Sequence, residues 1–449
     1  MKDNNTSTVT TASYMDTTLN VKDSLKTPIS MRRRAGQYVD WTVIALSLGL
    51  CAAGLLSIYS ATFNAGMPTY FYKQLVFAGV GLVLAVALMF LPSQWIQVTS
   101  TVWYVLTVGL LVAVLFVGKA VNGQKNWLSF GGLSIQPSEL AKLGVLIAVA
   151  RFVMRTNVNL QTLRDLSVVM ALIALPVALI ILEPDYGSAT VFVALFAGIA
   201  LWAGADAMLL FACITPPVMA IVTLFGMLSG YGLTPMAIAL AVIAVCTVLF
   251  RRGVVLTLLV IALNAGVGYA MPWVYKHVLP AHHKSRIEVL LNPDRDPRGQ
   301  GYNVVQSKMA VGSGGIWGKG FQQGTQTQLR YIPKQWTDFI YCVPTEEFGF
   351  VGGSLVIAML CGLCMRVVRV ASLMRSKFES TIAIGIASLW FYHGAVNIGM
   401  AIGLLPVIGI PLPFMSAGGT SLLINMVMVG IVLSFYRQHR KRLDYSGEE

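Results

Sequence analysis

Twelve apolar runs of membrane-crossing length, separated by short basic or polar connections, leave this chain little choice of architecture. They fall near 39–61, 72–91, 97–118, 137–154, 166–183, 187–204, 207–228, 233–250, 254–275, 338–365, 380–403 and 412–436. A helix satisfies its own backbone and crosses hydrocarbon in about 20 residues, and these runs lack the two-residue alternation of a strand. With 449 residues, 56% hydrophobic and only 11% charged, the chain carries more apolar surface than a soluble core could hide. The expected fold is an all-α polytopic integral membrane protein of about twelve transmembrane helices.

An even number of crossings puts both termini on one side, and basic residues choose it. Arg151, Arg155, Arg164, Arg251, Arg252, Arg366, Arg369, Arg375, Lys377, Arg437, Arg440, Lys441 and Arg442 all fall in same-side connections, which the positive-inside rule makes cytoplasmic. Residues 1–37, polar and ending in Arg32 to Arg34, are expected to form a disordered cytoplasmic tail, and 437–449 a second tail. The membrane domain is then 38–436, with a large extracytoplasmic loop at 277–337 and a smaller Gly-rich one at 119–136. The net charge of +13 follows from this bias and does not point to nucleic acid. All six cysteines lie in or beside spans, where they act as small apolar residues and imply no disulfide framework. His277, His282 and His283 have no acidic or thiol ligand at metal-site spacing beside them and read as solvated loop residues.

Against this background the stretch YIPKQWTDFIYCVPTEEFG, 331–349, is conspicuous. Its Asp338 stands where a polar loop is expected to enter a helix that Pro344 kinks. An acid at membrane depth is expensive, so Asp338 is a candidate functional carboxylate; the alternative is a helix-start acid with Thr337 as cap. Glu139 and Lys142, three apart after Pro137, share a helix face and can pair. They are either a cap with a snorkelling lysine or the charged wall of a cavity. Asp185 reads as a cap for the next helix. Arg286, Arg295, Arg298, Lys308 and Lys319 alternate with glycines in the long loop, a mix suited to an anionic head group held partly by glycine-turn amides, or simply a flexible loop. The Gly- and Pro-rich stretch 403–419 lies at membrane depth, where broken backbone needs cover, and is expected to wall the same cavity.

These segments together resemble the SEDS (shape, elongation, division, sporulation) family, and its RodA branch more than FtsW. The matching text is NGQKNW with QPSELAK, EPDYGSA, GYNVVQSKMAVGSGGIWGKGFQQGTQTQL, PKQWTDFI with EEFG, and NIGMAIGLLPVIGIPLPFMSAGGTS. The resemblance implies a SEDS-like core of ten spans plus an extra hairpin between 205 and 275. It implies a peptidoglycan glycosyltransferase that polymerises lipid II in the bacterial inner membrane. A class B penicillin-binding protein would supply the transpeptidase, alongside other elongation-complex membrane proteins. Asp338 matches the family's proposed catalytic aspartate and Glu139 with Lys142 its Glu/Lys pair; Lys308, Lys319 and Ser416 join them as candidate contacts to lipid II or its pyrophosphate. Four positions depart from the pattern: Lys334, Trp336 and Ala417 stand where Glu, His and Tyr are usual, and Asn126 where Arg is usual.

The chemistry expected is inverting transfer with Asp338 as general base. Cations, with a divalent metal (Mg or Mn) as a candidate helper, would stabilise the undecaprenyl pyrophosphate leaving group. A flippase for the same lipid-linked precursor and a noncatalytic scaffold for a penicillin-binding protein remain open alternatives. Transport suits broken helices and midplane charge, but the polar features here lie near one face.

Overall fold

The computed structural model describes residues 38–63, 66–121, 124–130, 133–250, 253–279, 281–291, 296 and 299–446. The expected tail at 1–37 and Arg251, Arg252, Arg295 and Arg298 lie outside them.

Helices α1 (Trp41–Phe63), α2 (Pro68–Met89), the short α3 (Ser93–Val98) and α4 (Ser100–Val117) lead into strands β1 (Lys119–Val121), β2 (Gln124–Phe130) and β3 (Leu133–Ile135). Then come α5 (Pro137–Val153), α6 (Leu163–Leu182), α7 (Tyr186–Trp202), α8 (Ala207–Leu228), α9 (Thr234–Leu249) and α10 (Val254–His277). The long loop holds α11 (Ala281–Leu291), α12 (Gln300–Ser313) and α13 (Thr325–Gln328). The chain finishes with α14 (Cys342–Glu347), α15 (Gly349–Leu373), α16 (Lys377–Ala401) and α17 (Gly419–Ser446).

The protein is a helical multi-pass membrane protein, as expected. Among the described residues nine helices are long and apolar enough to cross a bilayer, and α7 and α9 are shorter apolar helices. Helix α5 stands where another crossing was expected but carries Glu139, Lys142 and Arg151. The helix ends follow sequence rules. Pro68 and Pro137 open α2 and α5, where a missing N–H costs nothing. Thr162, Asp185 and Asp206 cap α6, α7 and α8 by accepting from backbone N–H groups.

Two corrections concern loops. The 119–136 segment is not irregular: it folds into an antiparallel sheet ordered β1-β2-β3, with Lys119 opposite Trp127 and Leu128 opposite Ile135. And no helix starts at Asp338. Residues 333–341 are turns, α14 is short, and the break comes at Gly349 (φ +65°), not at Pro344 inside α14. Thr337 caps nothing there; its hydroxyl donates to the carbonyl of Lys334 at 3.1 Å.

The centre of the bundle is α16, 72% buried over its apolar window, and α17, 67%, against at most 39% for the other spans. Helix α16 packs on α5, α7 and α15, and α17 on α2. Helices α8, α9 and α10 pack mainly on one another around Met208, Met219, Met236, Ile243 and Val260, and join the rest through α7. At one end of the bundle Arg366 pairs with Asp40 at 2.8 Å and Arg442 with Glu379 at 3.4 Å. The loop helices and the sheet lie at the opposite end.

Candidate active site at the loop end

Four elements bring the polar groups of the loop end together. Helix α5 supplies Glu139 and Lys142, one turn apart, which pair at 2.7 Å with both side chains about 5% exposed. Burial of such a pair is tolerable only with further hydrogen bonds. The next is supplied by His393 of α16, whose Nε2 lies 3.1 Å from Lys142 Nζ. Its Nδ1 lies 3.1 Å from the carbonyl of Pro411, in the broken stretch between α16 and α17.

One turn further along α16, fully buried Asn397 donates its amide to two backbone carbonyls, that of Asp338 at 2.9 Å and that of Ile410 at 2.8 Å. The catalytic candidate's backbone is therefore tied to the 403–418 stretch, as the sequence suggested. Ser416 tightens the same seam. Its hydroxyl donates to the carbonyl of Thr337 at 2.7 Å and accepts from Leu412 N at 2.8 Å, while Ala417 N donates to the carbonyl of Trp336 at 2.8 Å. Gln74 of α2 holds both flanks through the Ser416 carbonyl and the Gly418 N–H. Ser416 is thus a buried clamp on the Asp338 loop.

Asp338 itself is half-buried, and a side chain on Gly409 would come within 3.9 Å of its carboxylate. Burial pushes the carboxyl above the usual aspartate range, while Lys334, the Thr337 hydroxyl and Arg286 pull the other way. Arg286, on α11, is the residue that sequence reasoning left among general loop cations. Burial lowers its guanidinium's pKa, opposed by the charges of Asp338 and Asp185, and its Nε is buried without a hydrogen-bond partner. Asp185 is more than a cap: it accepts from Ser188 N, Ser188 Oγ, Asn126 Nδ2 and Gln136 Nε2 at 2.8–3.1 Å. The start of α7 abuts the 403–418 stretch, since a side chain on Gly187 would meet the Ile408 carbonyl at 2.3 Å. Beside it Glu183, 1% exposed, has no hydrogen bond to either carboxylate oxygen.

The loop lysines part company. Lys308 on α12 is exposed, with its aliphatic stem against Gly403. Lys319 is committed elsewhere: its three hydrogens go to Glu346 at 2.8 Å and to Ser313 and Thr325 at 2.7 Å. Glu346, fully buried, also accepts from Gln326 N and Thr327 N at 2.9 Å. The glycine-turn amides are likewise used inside the fold. Lys319 N and Gly320 N donate to the carbonyls of Glu346 and Glu347, and Phe350 N and Val351 N to those of Gly315 and Ile316. The glycine-rich run bridges the break between α14 and α15, which corrects its reading as a phosphate cradle.

The four unusual positions cluster at this end. Lys334 (φ +54°) acts on Asp338, Trp336 and Ala417 bond through their backbones, and Asn126 holds Asp185. The Trp336 ring lies 5.1 Å from that of Tyr70 on α2. Among the described residues no three His, Cys, Asp or Glu side chains converge. His393 and Asn397 were missed because each lies far in sequence from the groups it contacts, Lys142 and Asp338, and Arg286 was listed only as a loop cation with no tie to Asp338.

The chain is similar to known proteins over most of its length. The sequence profile of the family FTSW_RODA_SPOVE, described as cell cycle protein, matches residues 40–236 and 234–441. Peptidoglycan glycosyltransferase MrdB of Escherichia coli (strain K12) is 32% identical over 410 residues, covering 91% of this chain and 96% of that protein. Peptidoglycan glycosyltransferase RodA of Treponema pallidum (strain Nichols) is 28% identical, covering 90% of this chain and 99% of its own length. A chain solved in work described as "Structural coordination of polymerization and crosslinking by a peptidoglycan synthase complex" superposes with a TM-score of 0.65 at 28% identity, covering 89% of this chain and 98% of that one.

Proposed function

This chain belongs to the FtsW/RodA/SpoVE family of cell cycle proteins, and from that premise we infer that it is a peptidoglycan glycosyltransferase, polymerising lipid II into glycan during cell-wall elongation. The observation that carries the reading is that Asn397, one helix turn from the Glu139–Lys142–His393 chain, ties down the backbone carbonyl of Asp338, whose half-buried carboxylate feels the charge of Arg286. Transfer needs a base for the acceptor hydroxyl and cations for a departing diphosphate. Asp338, its proton affinity raised by burial, takes the hydroxyl proton. The freed oxygen attacks the anomeric carbon of the growing strand, the carbon–oxygen bond to diphosphate breaks, and the prenyl diphosphate leaves with the bonding pair. Configuration inverts.

Arg286 and exposed Lys308 are the cations placed to receive that charge, whereas buried Lys142 orders the wall behind Asp338 through His393. In this reading the loop end faces outward, the Arg366 and Arg442 end faces the cytoplasm with both termini, and the bilayer is a bacterial inner membrane. The partner is a class B penicillin-binding protein that crosslinks the product.

Purified protein given fluorescent lipid II, with and without that partner, is expected to yield glycan ladders, and a folded Asp338→Asn protein none. Ladders at the parent rate from Asp338→Asn would overturn the base assignment. Translocation alone would favour a flippase, and neither activity a scaffold.

A further inference from the structure

The cations at the end of the bundle remote from Asp338 are of two kinds. Arg366 is spent on Asp40 and Arg442 on Glu379, whereas Arg437, Arg440 and Lys441 have no ion pair among the described residues. These three stand at i, i+3 and i+4 on one face of α17, where like charges repel one another and weaken the helix. Arg440 and Lys441 are exposed, and the Arg437 guanidinium lies 4.2 Å from the ring centre of Phe90, the C-cap of α2, itself 56% exposed. Depth matters as much as charge. The apolar run of α17 ends at Tyr436, and the helical rise puts the three cations about 1.5, 6 and 7.5 Å beyond it, at the level of the ~5–7 Å head-group layer that flanks the hydrocarbon. Helix α3 is tied to the same turn, since Ser93 N and Ser93 Oγ donate to Gln438 Oε1 at 3.2 and 3.1 Å. It leaves Trp95 62% exposed, the side chain favoured where hydrocarbon meets head groups, and on α2 Val83 and Val86 are exposed on the hydrocarbon side of Phe90.

We propose that this rim, between the end of α2, α3 and the basic face of α17, binds an anionic phospholipid of the phosphatidylglycerol type, its phosphate on Arg437, Arg440 and Lys441 and its acyl chains along α2. Three unpaired cations at head-group depth, one of them stacked on an exposed ring that opens onto apolar helix surface, match a phosphate ester that carries hydrocarbon. The bound lipid bridges α2 and α17, which already pack so closely that a side chain on Gly430 would meet the Ala85 carbonyl at 2.7 Å. At the other end of α2, Gln74 holds Ser416 and Gly418, so the lipid braces the helix pair that carries the Asp338 seam. The site needs nothing from sugar transfer and stands apart from the glycosyltransferase reading.

The test is native mass spectrometry of the full-length protein released from phosphatidylcholine nanodiscs that contain increasing phosphatidylglycerol. Phosphatidylglycerol is expected to stay bound in preference to phosphatidylcholine, and Arg440→Gln and Lys441→Gln each to weaken its retention about fivefold. Arg164→Gln removes an equally exposed charge at the start of α6, away from the rim, and should change retention by less than about twofold. Equal loss from Arg164→Gln, equal retention of the two lipids, or displacement by inorganic phosphate would overturn the proposal. Fluorescence gives a second readout that leaves the cations in place, with Trp95 isolated by difference from a Trp95→Phe protein. Phosphatidylglycerol brominated in its acyl chains should quench the Trp95 signal about twofold more than phosphatidylcholine brominated likewise at the same mole fraction, and equal quenching would count against the site.

Discussion

Lys142 and His393, 251 positions apart in the chain, are joined at 3.1 Å. Because the Pro411 carbonyl can only accept, His393 Nδ1 must carry a hydrogen, and Nε2 then accepts from the ammonium. A neutral imidazole in a fixed tautomer thus connects the α5 ion pair to the backbone stretch that walls the Asp338 site.

Replacing His393 by Ala is expected to leave the Lys142 N–H and the Pro411 carbonyl short of a partner. Stability should fall by about 1–3 kcal/mol, and polymerisation by roughly a hundredfold as the Asp338 wall loosens. His393→Gln, able to donate and accept, should recover part of both. Thermal melts beside ladder assays check this, and equal damage from Gln and Ala would contradict the tautomer.

The Glu139–Lys142 pair is a buried one, so breaking it on one side is worse than removing it. Lys142→Met alone should destabilise by about 3–5 kcal/mol, and adding Glu139→Gln should return part of that loss. A denaturation series on the two single and one double variant measures the coupling. Strictly additive losses would mean the charges act independently.

The pH dependence follows from burial of Asp338. As a base it works deprotonated, and its pKa is raised, so activity is present above that raised value and is lost as pH falls through it. Lys334 and Arg286 favour the carboxylate, so Lys334→Gln or Arg286→Gln should move the acid limb of the rate profile to higher pH. Initial rates of chain growth across pH give the readout. A limb moving to lower pH would place these cations wrongly.

Gly318 has φ +83°, and a side chain there would meet the Glu347 carbonyl at 2.1 Å. Gly318→Ala should therefore cost at least about 1–3 kcal/mol by prising the glycine run from the α14–α15 break. The loss should exceed that of Gly312→Ala, where a side chain would meet nothing within 4 Å. Parallel melting curves decide it.

Much of this was visible in the residues because hydrocarbon is a demanding solvent. Most apolar runs set the helix positions to within several residues, the exceptions being 338–365, which became Gly349–Leu373, and 412–436, which became Gly419–Ser446, and spacing alone paired Glu139 with Lys142. Three things were not visible. The strands within 119–135 were not read, because Asn122-Gly123 and Gly131-Gly132 in the sequence, a hairpin signal, were outweighed by the surrounding apolar pattern. The helix break fell at Gly349 and not at Pro344 because the 314–320 run supplies replacement hydrogen bonds at Gly349. And Lys319 looked free for a phosphate only while its partner Glu346, 27 positions away, was unplaced. His393, Asn397 and the closeness of Arg286 to Asp338 belong to the same class, since a period within one helix carries no information about which other element it faces.

The methionine-rich cluster of α8, α9 and α10 is buried among those three helices and takes nothing from the packing around Asn397 and His393. In a bilayer, a helix added at the perimeter meets the same kind of surroundings as the one it covers. The rim of this bundle is therefore where the chain can lengthen, shorten or diverge while the chemistry at its heart stays as it is.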